Sequence, residues 1–355
     1  MVEILVEKLL AYAELKLALN SEDINYYRNV LLNKFGLKKP YKGVINVSEI
    51  QSMNNPQMLI DEMQHLIETK GLPAHLSFAD PEEVIIDVLG MMTPIPSVVS
   101  QRFAEIHKKD SNKAIKYLYD LSIANNYIQE AKVAENIRWR AELSDKYFEM
   151  TINLAKPEID NRETAKLLKE KQDDKYPSCP LCLENVGFGG NESTPPRQNL
   201  RAVPLTLDKE EWYLQFSPFV YYKDHIIVIS KDHNPMTITP RIFSKLVAFV
   251  DQFPDLFIGS NSDIPIVGGS ILNHEHFQGG AKVMPMFSAK DRFVLKHKHD
   301  RKLKISILEW DSNVIKLESR TKSLLLAKAA EITGNWLEYT NEELGIIPAT
   351  SGERH

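Results

Sequence analysis

Apolar residues recur with a helical period through the first ~150 residues and with a strand period from Leu200 to about Leu317. This switch constrains the fold more than any other feature of the chain. Ser21 is placed to cap a helix whose first turn holds Glu22 and Asp23, whose apolar stripe runs Ile24, Tyr27, Leu31 and Phe35, and which Gly36 ends. Asn55-Pro56 opens another helix and Gly71 closes it; Asp80-Pro81 opens a third, stopped near Gly90. Thr93-Pro94-Ile95-Pro96 is a break, and helices are expected over Val98–Lys108 and Asn112–Leu143. Tyr147–Leu154 alternates as a strand does, and Asn161–Lys171 reads as a charged helix. Beyond the polar KQDDKYPSCPLC stretch come six strand-like runs: LRAVPLTL, EWYLQFS, HIIVIS, PIVGGSIL, KISILEW and NVIKLES. One helix interrupts them, with Thr239 as cap, Pro240 at its first position and Ile242, Leu246 and Val250 on its face; a last helix spans about Thr321–Leu344. The pattern predicts an α+β protein, with a mostly helical N-terminal region at 1–172 and a strand-rich domain at 173–355.

The chain has 355 residues, 43% of them hydrophobic and 26% charged, which excludes global disorder. A net charge of −5 gives no general reason to expect a nucleic-acid partner. No apolar run is long enough to span a bilayer, and the apolar start carries Glu3, Glu7, Lys8, Glu14 and Lys16, so an amphipathic helix of a cytoplasmic protein is expected rather than a signal peptide. Cys179 and Cys182 are the only cysteines, too few for a disulfide-stapled scaffold.

The sharpest chemical feature is His274-Glu275-His276-Phe277-Gln278, preceded by Gly268-Gly269-Ser270 and followed by Gly279-Gly280. On a strand, residues two apart share a face, so His274, His276 and Gln278 are expected to point the same way. Such a row is either an exposed sheet face or a polar site. Flanking glycines favour a site, because they let a ligand approach the backbone. A neutral imidazole can attack phosphorus and carry a phosphoryl group covalently, and a nearby amide can donate to a non-bridging oxygen.

Cys179-Pro180-Leu181-Cys182 is a redox pair, half of a zinc site, or a reduced surface pair. Its flanks are polar and turn-rich, unlike those of a thioredoxin-type motif. Zinc needs two more ligands, which His233 and His274 can supply, with His225 as the substitute for His233. The stretch from Pro195 to Arg201 offers Arg197, Asn199 and Arg201, with guanidiniums shaped for phosphate.

Taken together, C-P-L-C, the D-H pair after a strand, and G-G-S-x-x-N-H-x-H-x-Q-G-G resemble the galactose-1-phosphate uridylyltransferases, in particular the second bacterial class, the UDP-glucose–hexose-1-phosphate uridylyltransferases. TPIPSVV, TINLAKPE, RQNLR and FSPFVYYKDHIIVISKDHNPM extend the resemblance over nearly the whole chain. It implies a histidine-triad-like, mostly antiparallel sheet with flanking helices. It implies transfer of UMP from UDP-glucose to galactose 1-phosphate, with His276 as the uridylylated residue and Gln278 on the phosphoryl oxygens. It further implies one structural zinc on Cys179, Cys182, His233 and His274, no organic cofactor, and nucleotide contacts from Asn261 and Ser270. Glu275 stands where the better-known first class has proline, and His297-Lys298-His299 lacks a matching glutamate for that class's second metal. Members of the second class continue well beyond Gly352-Glu353-Arg354-His355, so a truncated chain is expected.

Two other functions are compatible with these residues. A dinucleotide phosphorylase or hydrolase of the same superfamily would use His276 identically but pass the nucleotide to phosphate or water. A zinc-stabilised binding module would form no nucleotide adduct. Neither a nucleic-acid nor a membrane partner is expected, and a homodimer is compatible with the sequence.

Overall fold

The computed structural model describes residues 1–69, 81–143, 146–154, 176–191, 194–264, 271–281, 283–295, 302–350 and 353–354. Helices come first: α1 (Val2–Lys16), α2 (Ile24–Lys34), α3 (Val47–Ser52), α4 (Gln57–Glu68), α5 (Pro81–Met92), α6 (Pro96–His107), α7 (Ser111–Ala124) and the short α8 (Glu130–Ala134). A hairpin follows, β1 (Ile137–Leu143) with β2 (Lys146–Ile152). The central sheet is built from β3 (Val203–Leu207), β4 (Glu210–Phe216), β5 (Ile226–Ser230), β6 (Phe257–Ser260) and β7 (His276–Gly280), with helix α9 (Ile242–Gln252) between β5 and β6. A second sheet holds β8 (Asp291–Leu295), β9 (Leu303–Leu308) and β10 (Ile315–Ser319); helix α10 (Lys322–Leu337) and a small ladder of β11 (Ala349–Thr350) with β12 (Glu353–Arg354) complete the described chain. The molecule is α+β, as the periodicity predicts.

The central sheet runs in the order β3-β4-β5-β7-β6, with every neighbouring pair antiparallel. Alternation gives it two unlike faces. Val203, Leu205, Leu207, Trp212, Leu214, Phe216, Ile226, Val228 and Phe277 are all buried and alternate along their strands. The Trp212 and Phe277 rings stack at 4.7 Å and 13°, and α9 lies against β3 and β6 through a face that buries Ile242 and Phe249. Burying each such side chain contributes about 1.5–3 kcal/mol. One continuous apolar cluster runs from Val2 in α1 to Phe277 in β7, so the helical region and the sheet share a core. Within the helical region, Tyr12 of α1 donates a 2.9 Å hydrogen bond to the Ala124 carbonyl at the end of α7.

Several sequence expectations shift. The helix expected over Asn112–Leu143 ends at Ala124, because Asn126 adopts a left-handed φ of 59° and the chain turns; its last residues form β1 instead. Helix α5 continues through Gly90 to Met92. Helix α9 starts at Ile242 with Arg241 at its cap, not at Thr239 and Pro240, which form the preceding turn; the Ile242 N–H donates to the Thr239 carbonyl. The turn at Ser21 is a short 3-10 segment capped by the Asn20 side chain. The last helix stops at Leu337, and Glu342–Leu344 is a separate 3-10 turn. Gly71, the charged helix at 161–171, most of PIVGGSIL and the boundary at 172/173 lie outside the described residues. Among the described residues no single helix is long and apolar enough to cross a membrane.

Candidate active site and metal cluster

In the register of the sheet, Gln278 of β7 lies opposite Ile227 of β5, and His276 opposite Ile229. These residues share the face turned away from the Trp212–Phe277 core. His274 is not on the strand: the chain turns at Ile271 (φ 56°) and β7 begins only at His276. The expected row of three side chains on one strand is therefore a pair, His276 and Gln278, with His274 on the turn before it.

That turn gives His274 a different environment. Its Nε2–H donates to the Ser230 carbonyl at 2.9 Å, which leaves the Nδ1 lone pair facing sulfur: 3.2 Å from Cys179 Sγ and 3.5 Å from Cys182 Sγ. The His233 Nδ1 lies 2.9 Å from Cys182 Sγ, and the two sulfurs are 3.4 Å apart. All four ligand atoms lie within 4.8 Å of one another. The cysteines and His274 are buried and His233 is exposed. The Asn185 side chain donates to the carbonyls of Cys179 and Cys182, which shapes the loop. Two thiols and two imidazoles, one imidazole anchored through its second nitrogen, form a donor set that can hold a metal ion. The hydrogen bond between the two sulfurs lowers the Cys179 pKa and pushes that of Cys182 up to about 12.

His276 is buried. Its Nδ1 lies 2.8 Å from the His274 carbonyl, which can only accept, so Nδ1 carries the proton and Nε2 carries the lone pair. Burial, opposed by that hydrogen bond, lowers the ring's pKa and keeps it neutral. Beside it lies Asn261, just after β6, with its Nδ2 3.4 Å from His276 Nε2. Gln278 Nε2 donates to Asn261 Oδ1 at 3.2 Å, and Gln278 Oε1 accepts from His225 Nε2 at 2.9 Å. The glycines after Gln278 are steric necessities. A Cβ on Gly279 would lie 2.4 Å from the Phe257 carbonyl, and one on Gly280 2.9 Å from the carbonyls of Lys223 and Asp224.

The Glu275 backbone joins this region too, but its side chain reaches the core side of the sheet, where Lys245 of α9 binds both its oxygens at 2.9 and 3.0 Å. Lys245 also pairs with Glu210 at 2.9 Å. This ion pair ties α9 to the residue between the two histidines.

The remaining candidates lie elsewhere. Arg197 and Asn199 line a separate cavity of about 170 Å³ together with Tyr127 and Lys132. Asn199 and Asn125 exchange side-chain amide to backbone hydrogen bonds at 2.7 and 3.0 Å. Arg201 is buried against backbone. Its Nε donates to Pro94, its Nη1 to Gln198 and Leu200, and its Nη2 to Gly90 and Thr93, so all five donors end on backbone carbonyls. It clasps the α5–α6 break. Ser270 lies outside the described residues. His225, which the sequence offers only as a substitute metal ligand, belongs instead to the hydrogen-bond chain of Gln278; the signal was its spacing of two from Ile227 and four from Ile229, meaningful only once β5 is paired with β7.

Residues 25–235 match the family model described as galactose-1-phosphate uridyl transferase, N-terminal domain. The chain is 38% identical over 344 residues to the galactose-1-phosphate uridylyltransferase of Caldanaerobacter subterraneus subsp. tengcongensis, covering 96% of this chain and 65% of that one. It is 35% identical over 353 residues to that of Fusobacterium nucleatum and 36% over 351 residues to that of Bacillus subtilis, in each case covering 99% of this chain and 68% of the relative. It thus spans about two thirds of the length of these relatives. No solved structure matches it significantly.

Proposed function

The chain belongs to the galactose-1-phosphate uridylyltransferase family, and on that premise we propose that it moves UMP from UDP-glucose to galactose 1-phosphate through a covalent uridylyl-His276. The observation that carries this reading is the hydrogen bond from His276 Nδ1 to the His274 carbonyl, which leaves Nε2 as the only basic atom of a buried neutral ring.

In the first step the Nε2 lone pair attacks the α-phosphorus of UDP-glucose. The N–P bond forms, the bridging P–O bond breaks, and glucose 1-phosphate leaves with the electron pair. In the second step a phosphate oxygen of galactose 1-phosphate attacks the same phosphorus. UDP-galactose departs and the imidazole is restored. The bonds made and broken are of similar kind, so the protein's task is positioning and charge stabilisation. Gln278 has a second amide N–H beyond the one given to Asn261, and this N–H is suited to a non-bridging phosphoryl oxygen. Asn261 contributes a further amide beside the attacking nitrogen. Arg197 and Asn199 contribute to nucleotide or sugar-phosphate binding from the neighbouring cavity. Cys179, Cys182, His233 and His274 would hold one zinc, a closed four-ligand structural ion that tethers the cysteine loop to the turn before β7. The reaction needs no organic cofactor, and we assign it to the cytoplasm.

The test is intact-mass analysis after mixing the chain with UDP-glucose. The expected result is a stable gain of one UMP that disappears when galactose 1-phosphate is added and never forms in His276→Ala. An adduct of unchanged yield in that variant, or none on the parent chain, would overturn the reading.

A further inference from the structure

Three contacts through two side-chain amides link His225 to the proposed nucleophile. His225 Nε2 meets Gln278 Oε1 at 2.9 Å, Gln278 Nε2 meets Asn261 Oδ1 at 3.2 Å, and Asn261 Nδ2 meets His276 Nε2 at 3.4 Å. A side-chain amide has one accepting and one donating end of nearly equal shape, so it can sit either way round. Two amides in series share that freedom: turning one turns the other. Their direction is decided by the groups at the two ends of the chain.

We propose that His225 is a positioning residue whose Nε2–H sets the direction of the Gln278 and Asn261 amides, so that both keep their N–H groups toward His276 and the phosphoryl site. This rests on the uridylyl-transfer reading above. At the far end, His276 already gives its one proton to the His274 carbonyl, so its Nε2 must accept or stay bare. Amides directed the other way would bring the Asn261 oxygen against that lone pair. They would also replace the Gln278 N–H groups by an oxygen on the side where anionic phosphoryl oxygens must settle, a repulsive arrangement.

The surroundings of His225 suit this role. The ring is 1% exposed and lies at the start of β5, 4.5 Å from the Tyr222 ring and 5.2 Å from that of Tyr221. Its Nδ1 is buried and has no hydrogen-bond partner among the described residues. A neutral ring with an unpartnered nitrogen places its single proton on the nitrogen that has an acceptor, which is Nε2. Burial, opposed by the bond to Gln278, lowers its pKa to about 4 and so keeps the ring neutral. The Lys223 and Asp224 backbone holds the tyrosine loop close over Gly280, where any side chain would push it away. Nothing in this arrangement requires His225 to touch substrate.

The test compares His225→Phe, which keeps an aromatic ring against the tyrosines but loses the donor, with His225→Gln, which restores a donor of similar reach. UMP loading in a single turnover should fall about 10- to 100-fold in the phenylalanine variant, with affinity for UDP within about twofold, and recover largely in the glutamine variant. Long-range ¹H–¹⁵N spectra of the unaltered chain should show His225 protonated on Nε2 and bare on Nδ1. A proton on Nδ1, or normal loading in a folded His225→Phe, would overturn the proposal. Should the unaltered chain load no UMP, the transfer reading fails, yet the ring tautomer and slowed exchange of the Gln278 side-chain amide, lost in His225→Phe, still decide the positioning role. Where the phenylalanine variant does not fold, the tautomer and the glutamine variant decide it.

Discussion

His274 and His276 are coupled through one peptide: the His274 ring faces the cysteine pair while its own carbonyl accepts the Nδ1–H of His276 at 2.8 Å. The side chain of one residue therefore belongs to the candidate metal cluster and its backbone sets the tautomer of the proposed nucleophile. Any shift of the cluster moves the carbonyl that orients His276.

Cys182→Ser should test this coupling. Cys182 touches both His233 and His274, so its loss should lower bound metal and melting temperature together, the latter by about 5 °C or more. Loading of UMP should slow as well, because the His274 turn loosens. Metal analysis by mass spectrometry alongside a thermal melt checks it. Full metal content in the variant would remove Cys182 from the ligand set.

Gln278→Ala should slow chemistry far more than it weakens binding. Removing a donor aimed at developing charge typically costs about 100-fold in turnover, near 3 kcal/mol. Gln278→Glu should be worse, since a carboxylate would face phosphoryl oxygens of its own sign. Single-turnover rates set against UDP affinity separate the two effects. Normal turnover with weak UDP binding would make Gln278 a binding residue only.

Arg201→Lys should destabilise the fold and leave the Michaelis constants nearly unchanged. Lysine cannot reach five carbonyls from one planar fork, so several buried acceptors lose their partner, at about 2–4 kcal/mol in total. A shifted urea midpoint with unaltered KM is expected. Unchanged stability with a raised KM for the sugar phosphate would restore Arg201 to the substrate site.

Stability should fall on acidification through a window that His225 helps to define. In the unfolded chain this ring binds its proton near 6.5, but in the folded protein only near 4. Between these values the unfolded state holds more protons, so stability is complete above the upper value and is lost as pH falls toward the lower one. One such group gives a slope of up to about 1.4 kcal/mol per pH unit. Urea midpoints measured from pH 7 to pH 4 should show a shallower loss in His225→Phe. Parallel curves for the two proteins would exclude His225 as a contributor.

Glu275→Gln should weaken the attachment of α9 without touching the reacting atoms. Lys245 would keep Glu210 but lose its bidentate partner in a mostly buried setting, and a loss of about 1–3 kcal/mol is expected. Lys245→Met in the same background should recover part of it. A melting temperature unaffected by Glu275→Gln would show the pair to be energetically neutral.

The residues themselves determined the local features whose causes are local. The period of two in β4 and β5, the stripe on α2, the proline-marked break before α6 and the His276–Gln278 spacing were all legible, because side-chain alternation and backbone restriction act within a few residues. The Cys179–Cys182 pair was compatible with half of a metal site, and the fold brings His233 and His274 beside it in a cluster that could hold an ion. Only tertiary structure decided the rest. Arg197 and Arg201 are the same residue type four positions apart, yet one lines a cavity and the other is consumed by carbonyls that the α5–α6 break brings to it. Residues 137–143 hold a strand because Lys146–Ile152 is there to pair with them, a stabilisation that no helical propensity reveals. His225 and His233 flank one strand and look alike in sequence. Their roles separate because one meets Gln278 across the β5–β7 ladder and the other meets Cys182 from a distant loop. Contacts between residues far apart in the chain exist only after the sheet has formed, and it is those contacts that choose among side chains of equal chemistry.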